Sequence, residues 1–327
     1  MILKQTSACF RGLAILMVMA SHYAEWMLEA SKYPVVREFL CGLGVLGVDI
    51  FFLVSGYGLV KSAGERGVGR SFLWNRLSTC YLPYLLVVGM IMFLEGGFRD
   101  WGDWKDYLVG SEYWYISVQM VLYICFFVCY GPETVLPEKW KSAWKKVRDI
   151  LLTVMVIGFT YWLYAMGKAD FWFLSNGAFL IGVYIARLES GTYQKETGWL
   201  TGIIPYVLIA SLFVLGISGF CFHRTSLMRW EAVKSLAFTM SVAMVGLLHD
   251  FKSVPLRVLG RYSLYFYLIH GFIYRIVGNG FMGISPMIIL FLCLIFTLVV
   301  GLIVGPAVEW VMAWITSRGT EYLRKNN

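Results

Sequence analysis

The stretch GVLGVDIFFLVSGYG, residues 44–58, holds one charged side chain, Asp49, in an otherwise uncharged and mostly apolar run. The run extends over residues 39–60 with little interruption. A helix needs about 20 mostly apolar residues to cross a bilayer, and this segment meets that length. The stretch therefore predicts a membrane-spanning helix that buries a single carboxyl group.

The rest of the chain repeats this apolar pattern. Of its 327 residues, 59% are apolar and only 15% are charged. A typical soluble domain has about 25% charged residues, so lipid must replace water around this protein. We expect an all-α, polytopic transmembrane helix bundle of about ten helices, forming a single domain over residues 1–327. The predicted spans are residues 9–28, 39–60, 77–95, 113–130, 149–167, 171–188, 198–218, 230–248, 259–277 and 285–316, the last of which tilts or continues as a surface helix after Pro306.

The distribution of basic residues orients this bundle. If the N-terminus is cytoplasmic, most of the 28 Lys and Arg residues fall on inner segments, whereas residues 95–112 carry five acidic and two basic side chains. Cytoplasmic loops are rich in Lys and Arg, so we expect both termini inside and residues 95–112 outside. The polar inner segment 131–149 is predicted to be a loop with the character of an interfacial helix, because two tryptophans stand among its lysines.

Several classes of function are excluded by composition. The net charge of +8 does not indicate nucleic-acid binding, because the basic residues lie in short connections rather than on one face. The seven cysteines lie in or beside apolar stretches without metal-ligand spacing, so we expect buried free thiols and no metal site. The first apolar run lacks a small-residue cleavage site, and we expect it to remain as a membrane anchor.

Two ionisable residues of the first span, Arg11 and His22, are eleven positions apart. At 100° per residue they lie within about 20° of one helix face, separated by about 16 Å along the axis. That face offers a permanent cation near one surface and, further in, an imidazole that can take a proton near neutral pH. The simpler alternative is an arginine that extends to the surface at a helix end and a histidine that is hydrogen-bonded by a neighbouring helix.

The second span contains two further polar candidates. Asp49 needs a partner, which His22, an arginine or a backbone amide would supply. A carboxylate that orients a catalytic histidine is familiar chemistry, but a structural hydrogen bond is an equally good interpretation. Ser55 is a possible nucleophile, although no adjacent base is evident from the sequence.

Polar residues also share a face on the fourth and ninth spans. Tyr115, Gln119 and Tyr123 are spaced by four on the fourth span. Ser263, Tyr267 and His270 recur at steps of four and three on the ninth span, which makes His270 a second intramembrane imidazole. Polar faces in a membrane protein are expected to point into the bundle. The alternative for the fourth span is an aromatic belt at the membrane surface, which residues such as Trp114 and Tyr115 would form.

Together these segments resemble the acyltransferase-three family of membrane acyltransferases, in order over nearly the whole chain. The matching pieces are the spacing of Arg11 and His22, the run GVDIFFLVSGY at residues 47–57, residues 72–84 with Arg76 and Pro83-Tyr84, Trp114-Tyr115-Ile116 with Tyr123, and residues 259–270. Two positions depart from the family pattern. Thr79 stands where a second arginine is common, which weakens any arginine cluster for phosphates, and Gln119 stands where a glutamate is common, which indicates a hydrogen-bonding group rather than an acid.

The resemblance implies transfer of an acyl group, usually acetyl, from acyl-coenzyme A at the cytoplasmic face of a bacterial inner or plasma membrane. The acceptor it implies is a hydroxyl, often of a cell-envelope carbohydrate. Arg11, Arg70 and Arg76 lie on the side where they would pair with the phosphates of coenzyme A. His22 would deprotonate the attacking hydroxyl or be transiently acylated, with Asp49 as its orienting carboxylate.

A multi-helix transporter or flippase is the competing interpretation, because polar faces on several helices would also suit a path for a small polar or glycolipid solute. No repeat symmetry and no pair of proline-broken helices favours it in the sequence. A structural or sensory membrane protein would leave the Arg11–His22 face unexplained.

Overall fold

A computed structural model describes the chain except for residues 1, 3, 191–203, 222–227, 281–283 and 326–327. Within helices, the side chains of residues 70, 190, 204, 207, 217–221, 228–231 and 316–325 also lie outside the described part. The described residues form thirteen α-helices and no β-strand, which confirms the all-α prediction. The helices are α1 (Lys4–Met27), α2 (Pro34–Arg66), α3 (Arg70–Arg76), α4 (Leu82–Leu94), α5 (Trp101–Val109), α6 (Trp114–Tyr130), α7 (Glu138–Ala165), α8 (Asn176–Ser190), α9 (Ile204–Cys221), α10 (Met228–Leu248), α11 (Val254–Arg261), α12 (Ser263–Gly280) and α13 (Pro286–Lys325).

Seven helical segments in the described part of the chain are long and apolar enough to cross a membrane. They are Lys4–Met27, Pro34–Arg66, Ser71–Leu94, Trp114–Thr134, Glu138–Ala165, Asp170–Glu189 and Pro286–Ile315. A shorter apolar helix covers Ala232–Leu248 within α10, and α9 and α12 occupy the two remaining predicted spans. The ten predicted spans therefore each contain a helix.

The structure corrects three boundaries and adds one helix. The predicted ninth span, 259–277, contains parts of two helices, α11 and α12, that are separated at Tyr262. The average hydropathy of the segment does not reveal this break. The segment 131–149 is not a separate loop, because α7 begins at Glu138, directly after Pro137, and runs unbroken into its span. The last helix continues through Pro306 to Lys325 as one element. Residues 95–112 contain a short helix, α5, that was not predicted.

The helices form two compact units. Unit one comprises Met1–Val68 and Cys125–Arg261, and unit two comprises Gly69–Ile124 and Tyr262–Asn327. Unit one thus contains α1, α2 and α7 to α11 with the end of α6, whereas unit two contains α3 to α5, most of α6, α12 and α13. Each candidate residue therefore belongs to one unit or the other.

Unit one begins with a hairpin of α1 and α2 that packs through small residues. A Cβ atom on Gly44 would lie 2.5 Å from the Ser21 Oγ, and one on Gly47 would lie 2.8 Å from the Ala14 carbonyl oxygen. The Ser21 hydroxyl donates to the Cys41 carbonyl oxygen at 2.8 Å. Small residues allow helix backbones to approach closely in membranes, so these contacts fix the register of the two helices.

The α2–α8 contact is closer still. A Cβ on Gly56 would meet the Phe179 carbonyl oxygen at 2.1 Å, and one on Gly182 would meet the Leu53 carbonyl oxygen at the same distance. Real Cβ atoms do not approach so closely, so each helix presents a glycine to the backbone of the other. Gly58, two positions along α2, faces open space instead.

In unit two, α5 lies along α4 rather than beyond its end. The Tyr84 hydroxyl donates to the Tyr107 carbonyl oxygen at 2.5 Å, and the Tyr107 hydroxyl donates back to the carbonyl oxygen of Leu85. The Tyr81 hydroxyl donates to the Leu108 carbonyl oxygen at 2.6 Å. Because Tyr81 and Tyr84 lie inside the span Ser71–Leu94, part of the segment expected to be an outer loop returns along a membrane helix.

Candidate active site

Helix α1 carries Arg11 and His22 as predicted, on one uninterrupted α-helix. Both side chains are half-buried. The unbroken helix places them on the same face, about 16 Å apart along its axis. Near Arg11, α1 is crossed by α11, since a Cβ on Gly260 would lie 1.8 Å from the Ala8 carbonyl oxygen.

His22 lies near the end of α1, where Trp26 follows one turn later. The imidazole and indole rings are stacked with centroids 4.7 Å apart and planes inclined by only 4°. The Trp26 side chain is 49% exposed. Trp26 was not among the residues predicted from the sequence, although its position four residues after His22 on one helix was a usable signal.

Asp49 is fully buried on α2, but the structure does not bring it to His22. The Ser235 hydroxyl of α10 donates to the Asp49 Oδ1 at 2.7 Å. Because Gly44 faces Ser21 and Gly47 faces Ala14, each step along α2 leads away from His22. Asp49 therefore lies beside a part of α1 that is about 10 Å before His22, towards the start of that helix. This separation is beyond hydrogen-bond reach.

The Asp49 carboxyl group is thus a buried polar contact between helices. Its other oxygen, Oδ2, has no hydrogen-bond partner among the described residues. Of the two roles that the sequence left open for Asp49, the structural hydrogen bond is the one observed, and its donor is a serine rather than His22, an arginine or a backbone amide. Ser235 was missed because a lone serine on an apolar helix gives no signal in a single sequence.

The other polar candidate of α2, Ser55, is half-buried between Asp49 and the glycine crossing with α8. Arg70 begins α3 in unit two, and its side chain lies outside the described residues. Its assignment to the donor site therefore remains a prediction.

Arg76, at the end of α3 in unit two, has an aromatic setting. Its guanidinium carbon lies 5.3 Å from the Phe72 ring centroid and 5.4 Å from the Tyr123 ring centroid. Cation–π contacts of this kind orient a guanidinium without consuming its hydrogen-bond donors. The Arg76 Nε is buried and has no hydrogen-bond partner among the residues that the structure describes. The planar guanidinium of Arg76, with its parallel N–H donors, is suited to pair with a phosphate.

The backbone after Arg76 departs from α-helical geometry. Residues Leu77–Tyr81 form a π-helical turn between α3 and α4. The Thr79 hydroxyl, at the position where the family pattern has a second arginine, donates to the Asn75 carbonyl oxygen at 2.5 Å. Single π turns inside α-helices are frequent at functional sites, so this turn is consistent with a functional role for the Arg76 region.

The polar stripe of α6, formed by Tyr115, Gln119 and Tyr123, lies within unit two. The Tyr115 hydroxyl donates to the Gln119 Oε1 at 3.1 Å, and Gln119 and Tyr123 are buried. Tyr115 also packs edge-on against Tyr267 of α12, with ring centroids 5.5 Å apart. The stripe therefore points into the unit rather than forming an aromatic belt alone.

Ser263, Tyr267 and His270 are all buried on α12. The His270 Nδ1 lies 2.6 Å from the Tyr267 carbonyl oxygen. Because a carbonyl oxygen only accepts, the Nδ1 of His270 is the donor in this contact. Tyr113 was not among the predicted residues; its hydroxyl donates to the Leu268 carbonyl oxygen at 3.0 Å, and its ring packs against Tyr267.

The candidates thus fall into two groups, each inside its own unit. Unit one holds Arg11, His22, Asp49 and Ser55; unit two holds Arg76, Tyr115, Gln119, Tyr123, Ser263, Tyr267 and His270. Each group offers a guanidinium and an imidazole. Cations of this type bind phosphates, and an unprotonated imidazole can accept a proton from a hydroxyl.

A family model described as an acyltransferase domain matches residues 8–305, nearly the whole chain. The match begins just before Arg11 and ends after His270, so it includes both groups of candidates. No curated protein and no solved structure matches the chain.

Proposed function

The chain belongs to this acyltransferase family and is a multi-pass membrane acyltransferase, and from that premise we propose that it uses acyl-coenzyme A as its donor. The acyl group, acetyl in this proposal, moves to a hydroxyl of a cell-envelope carbohydrate. The observation that carries the proposal is the extent of the family match, which covers both the Arg11–His22 face and the Arg76 region.

Donor binding is assigned to the arginines. Coenzyme A is polyanionic, and Arg76 presents a guanidinium that is oriented by Phe72 and Tyr123. Arg11, half-buried on α1, and Arg70 at the start of α3 are proposed to contribute further charge. A charge-assisted hydrogen bond to a phosphate contributes about 1.5–3 kcal/mol, so each contact is measurable.

His22 is proposed to be the general base of the transfer. The imidazole nitrogen takes the proton of the acceptor hydroxyl while the hydroxyl oxygen bonds to the thioester carbonyl carbon. The carbon–sulfur bond then breaks, the sulfur of coenzyme A takes up a proton, and the products are an acyl ester and free coenzyme A. A base of this kind accelerates such a step by typically 10²–10⁴-fold.

The location of the reaction follows from the charge distribution. The excess of basic residues on one set of connections supports a plasma or bacterial inner membrane topology with both termini cytoplasmic. Acyl-coenzyme A is a cytoplasmic metabolite, so in this proposed orientation Arg11 and Arg76 would each face the side of the membrane that holds the donor. His22, near the opposite end of α1, is then on the side of an envelope acceptor.

The test is release of free coenzyme A thiol by the purified protein in detergent, measured with acetyl-coenzyme A and a panel of envelope carbohydrates. We expect acceptor-dependent thiol release together with an acetyl ester detected by mass spectrometry. A protein that releases no thiol with any acceptor, but moves a polar or glycolipid solute across reconstituted vesicles, would be a transporter, and the proposal would be wrong.

A further inference from the structure

Near the end of α1, the indole ring of Trp26 stacks on the imidazole ring of His22. The planes of the two rings are nearly parallel, 4° apart, with centroids 4.7 Å apart. Residues four apart on a helix are neighbours, but neighbouring rings adopt many mutual angles. Here the indole covers one face of the imidazole and leaves the edge that carries the ring nitrogens uncovered by it.

The backbone beneath the stack is fixed separately. The Ser21 hydroxyl donates to the Cys41 carbonyl oxygen at 2.8 Å, and Gly44 approaches Ser21 without a side chain of its own. These contacts hold the Cα of His22 relative to α2, but they do not orient its ring. An imidazole rotates about χ1 and χ2, so contacts of the ring itself set the direction of its nitrogens, and the stack with Trp26 is one such contact.

We propose that Trp26 is a positioning residue for His22. Its indole holds the imidazole in one orientation, so that a ring nitrogen is directed at the acceptor hydroxyl, and it shields one face of the ring from solvent. This inference rests on the proposed function, in which His22 is the base. Catalytic groups must be held closely in productive geometry, and a displacement of about 1 Å can reduce a rate about 10²-fold.

An aromatic belt residue is the competing explanation for Trp26. The side chain is 49% exposed, and the turn that follows carries the exposed ion pair between Lys32 and Glu29, at 2.9 Å. The hydrogen bond and charge of Glu29 raise the pKa of Lys32, as expected for a charged turn in water. Tryptophan is enriched at such a boundary, but a belt role requires no parallel stack on a histidine.

Substitutions at Trp26 separate the two explanations. Trp26→Phe keeps a flat ring above the imidazole, whereas Trp26→Leu keeps an apolar side chain without one. We expect Trp26→Leu to lower turnover about tenfold to a hundredfold with unchanged acetyl-coenzyme A affinity, and Trp26→Phe to stay within about threefold of the wild type. The matched control is Trp310→Leu, which removes a 71% exposed tryptophan from α13 and should not change turnover.

Two results would overturn the inference: wild-type turnover in Trp26→Leu, or equal losses in Trp26→Leu and Trp26→Phe. His22→Gln, assayed in parallel, separates this from failure of the proposed function. If His22→Gln remains active, the base assignment is wrong; if it is inactive while Trp26→Leu is active, only the positioning role is wrong. NMR of histidine-labelled protein adds a readout independent of activity, because the indole ring current should shift the His22 ring protons upfield, and Trp26→Leu should abolish that shift.

Discussion

The hydroxyl of Ser235 donates to the Oδ1 of Asp49 at 2.7 Å, and this bond joins α10 to α2 inside unit one. Both side chains are fully buried. The buried carboxyl group therefore serves the packing of two helices, and the register of α1 and α2 separates it from His22. This relationship changes the interpretation of Asp49 from an orienting carboxylate to an interhelical contact.

Ser235→Ala should lower the stability of the folded protein, because it leaves a buried carboxyl oxygen without its donor. We expect a loss of about 1–2 kcal/mol, seen as a lower thermal unfolding midpoint in detergent. The matched control is Ser241→Ala on the same helix, since Ser241 is equally buried but its hydroxyl donates to the Phe238 carbonyl oxygen of its own turn. Equal midpoints for the two variants would contradict the role given to Ser235.

Asp49→Asn should keep most of the turnover, within about threefold, because the amide oxygen can still accept from Ser235 and no contact with His22 is lost. The comparison is steady-state turnover with acetyl-coenzyme A, normalised to folded protein. A loss of about a thousandfold in a folded Asp49→Asn protein would restore the orienting role that the sequence suggested.

The glycine crossing of α2 and α8 should not tolerate a methyl group. Gly56→Ala places a Cβ 2.1 Å from the Phe179 carbonyl oxygen, so the helices must separate, at a cost of about 1–3 kcal/mol. Gly58→Ala on the same helix meets no atom within 4 Å and should be neutral or slightly stabilising. The measurement is the yield and unfolding midpoint of each variant, and equal behaviour of the two would refute the close crossing.

Much of this architecture was readable from the sequence, because lipid imposes a strong pattern. Apolar length located a helix in every predicted span. Within residues 44–58, Gly44, Gly47 and Gly56 lie at close contacts between helices. Gly58 is the exception, since it faces open space. The break at Tyr262 and the short helix α5 were missed because neither changes the average hydropathy of its segment.

The candidate site was readable only in part, since a helical period gives the face of a residue but not its partner. The Arg11–His22 face follows from one unbroken helix, whereas the partner of Asp49 lies 186 positions away on α10. The contacts of Arg76 with Phe72 and Tyr123 depend in the same way on how separate segments pack. A single sequence contains no information on such pairs.

Arg76→Ala should weaken binding of acetyl-coenzyme A about tenfold to a hundredfold, because a charge-assisted contact contributes about 1.5–3 kcal/mol. Arg76→Lys should recover only part of the affinity, since lysine keeps the charge but lacks the planar fork. The control is Arg99→Ala, which removes an exposed arginine of unit two. Unchanged donor affinity in both Arg76→Ala and Arg11→Ala would place the donor elsewhere.

The predicted orientation can be checked by cysteine labelling in intact cells, on a background without native cysteines. Ser31→Cys, in the exposed turn after α1, should react with a membrane-impermeant reagent from outside. Ser142→Cys, exposed on the basic first turns of α7, should react only after the cells are opened. The reverse pattern would invert the topology, and with it the side assigned to the donor.

His22 is proposed to be the catalytic base, and His270 is the alternative histidine. The two histidines lie in different units, and His270 is buried with its Nδ1 engaged by a backbone carbonyl oxygen. The most direct measurement is therefore the turnover of His22→Gln and His270→Gln under saturating acetyl-coenzyme A, with donor affinity measured on the same preparations. We expect His22→Gln to bind the donor normally and to lose at least about a hundredfold in turnover. Near wild-type turnover in His22→Gln, with loss in a folded His270→Gln, would show that the wrong histidine was assigned.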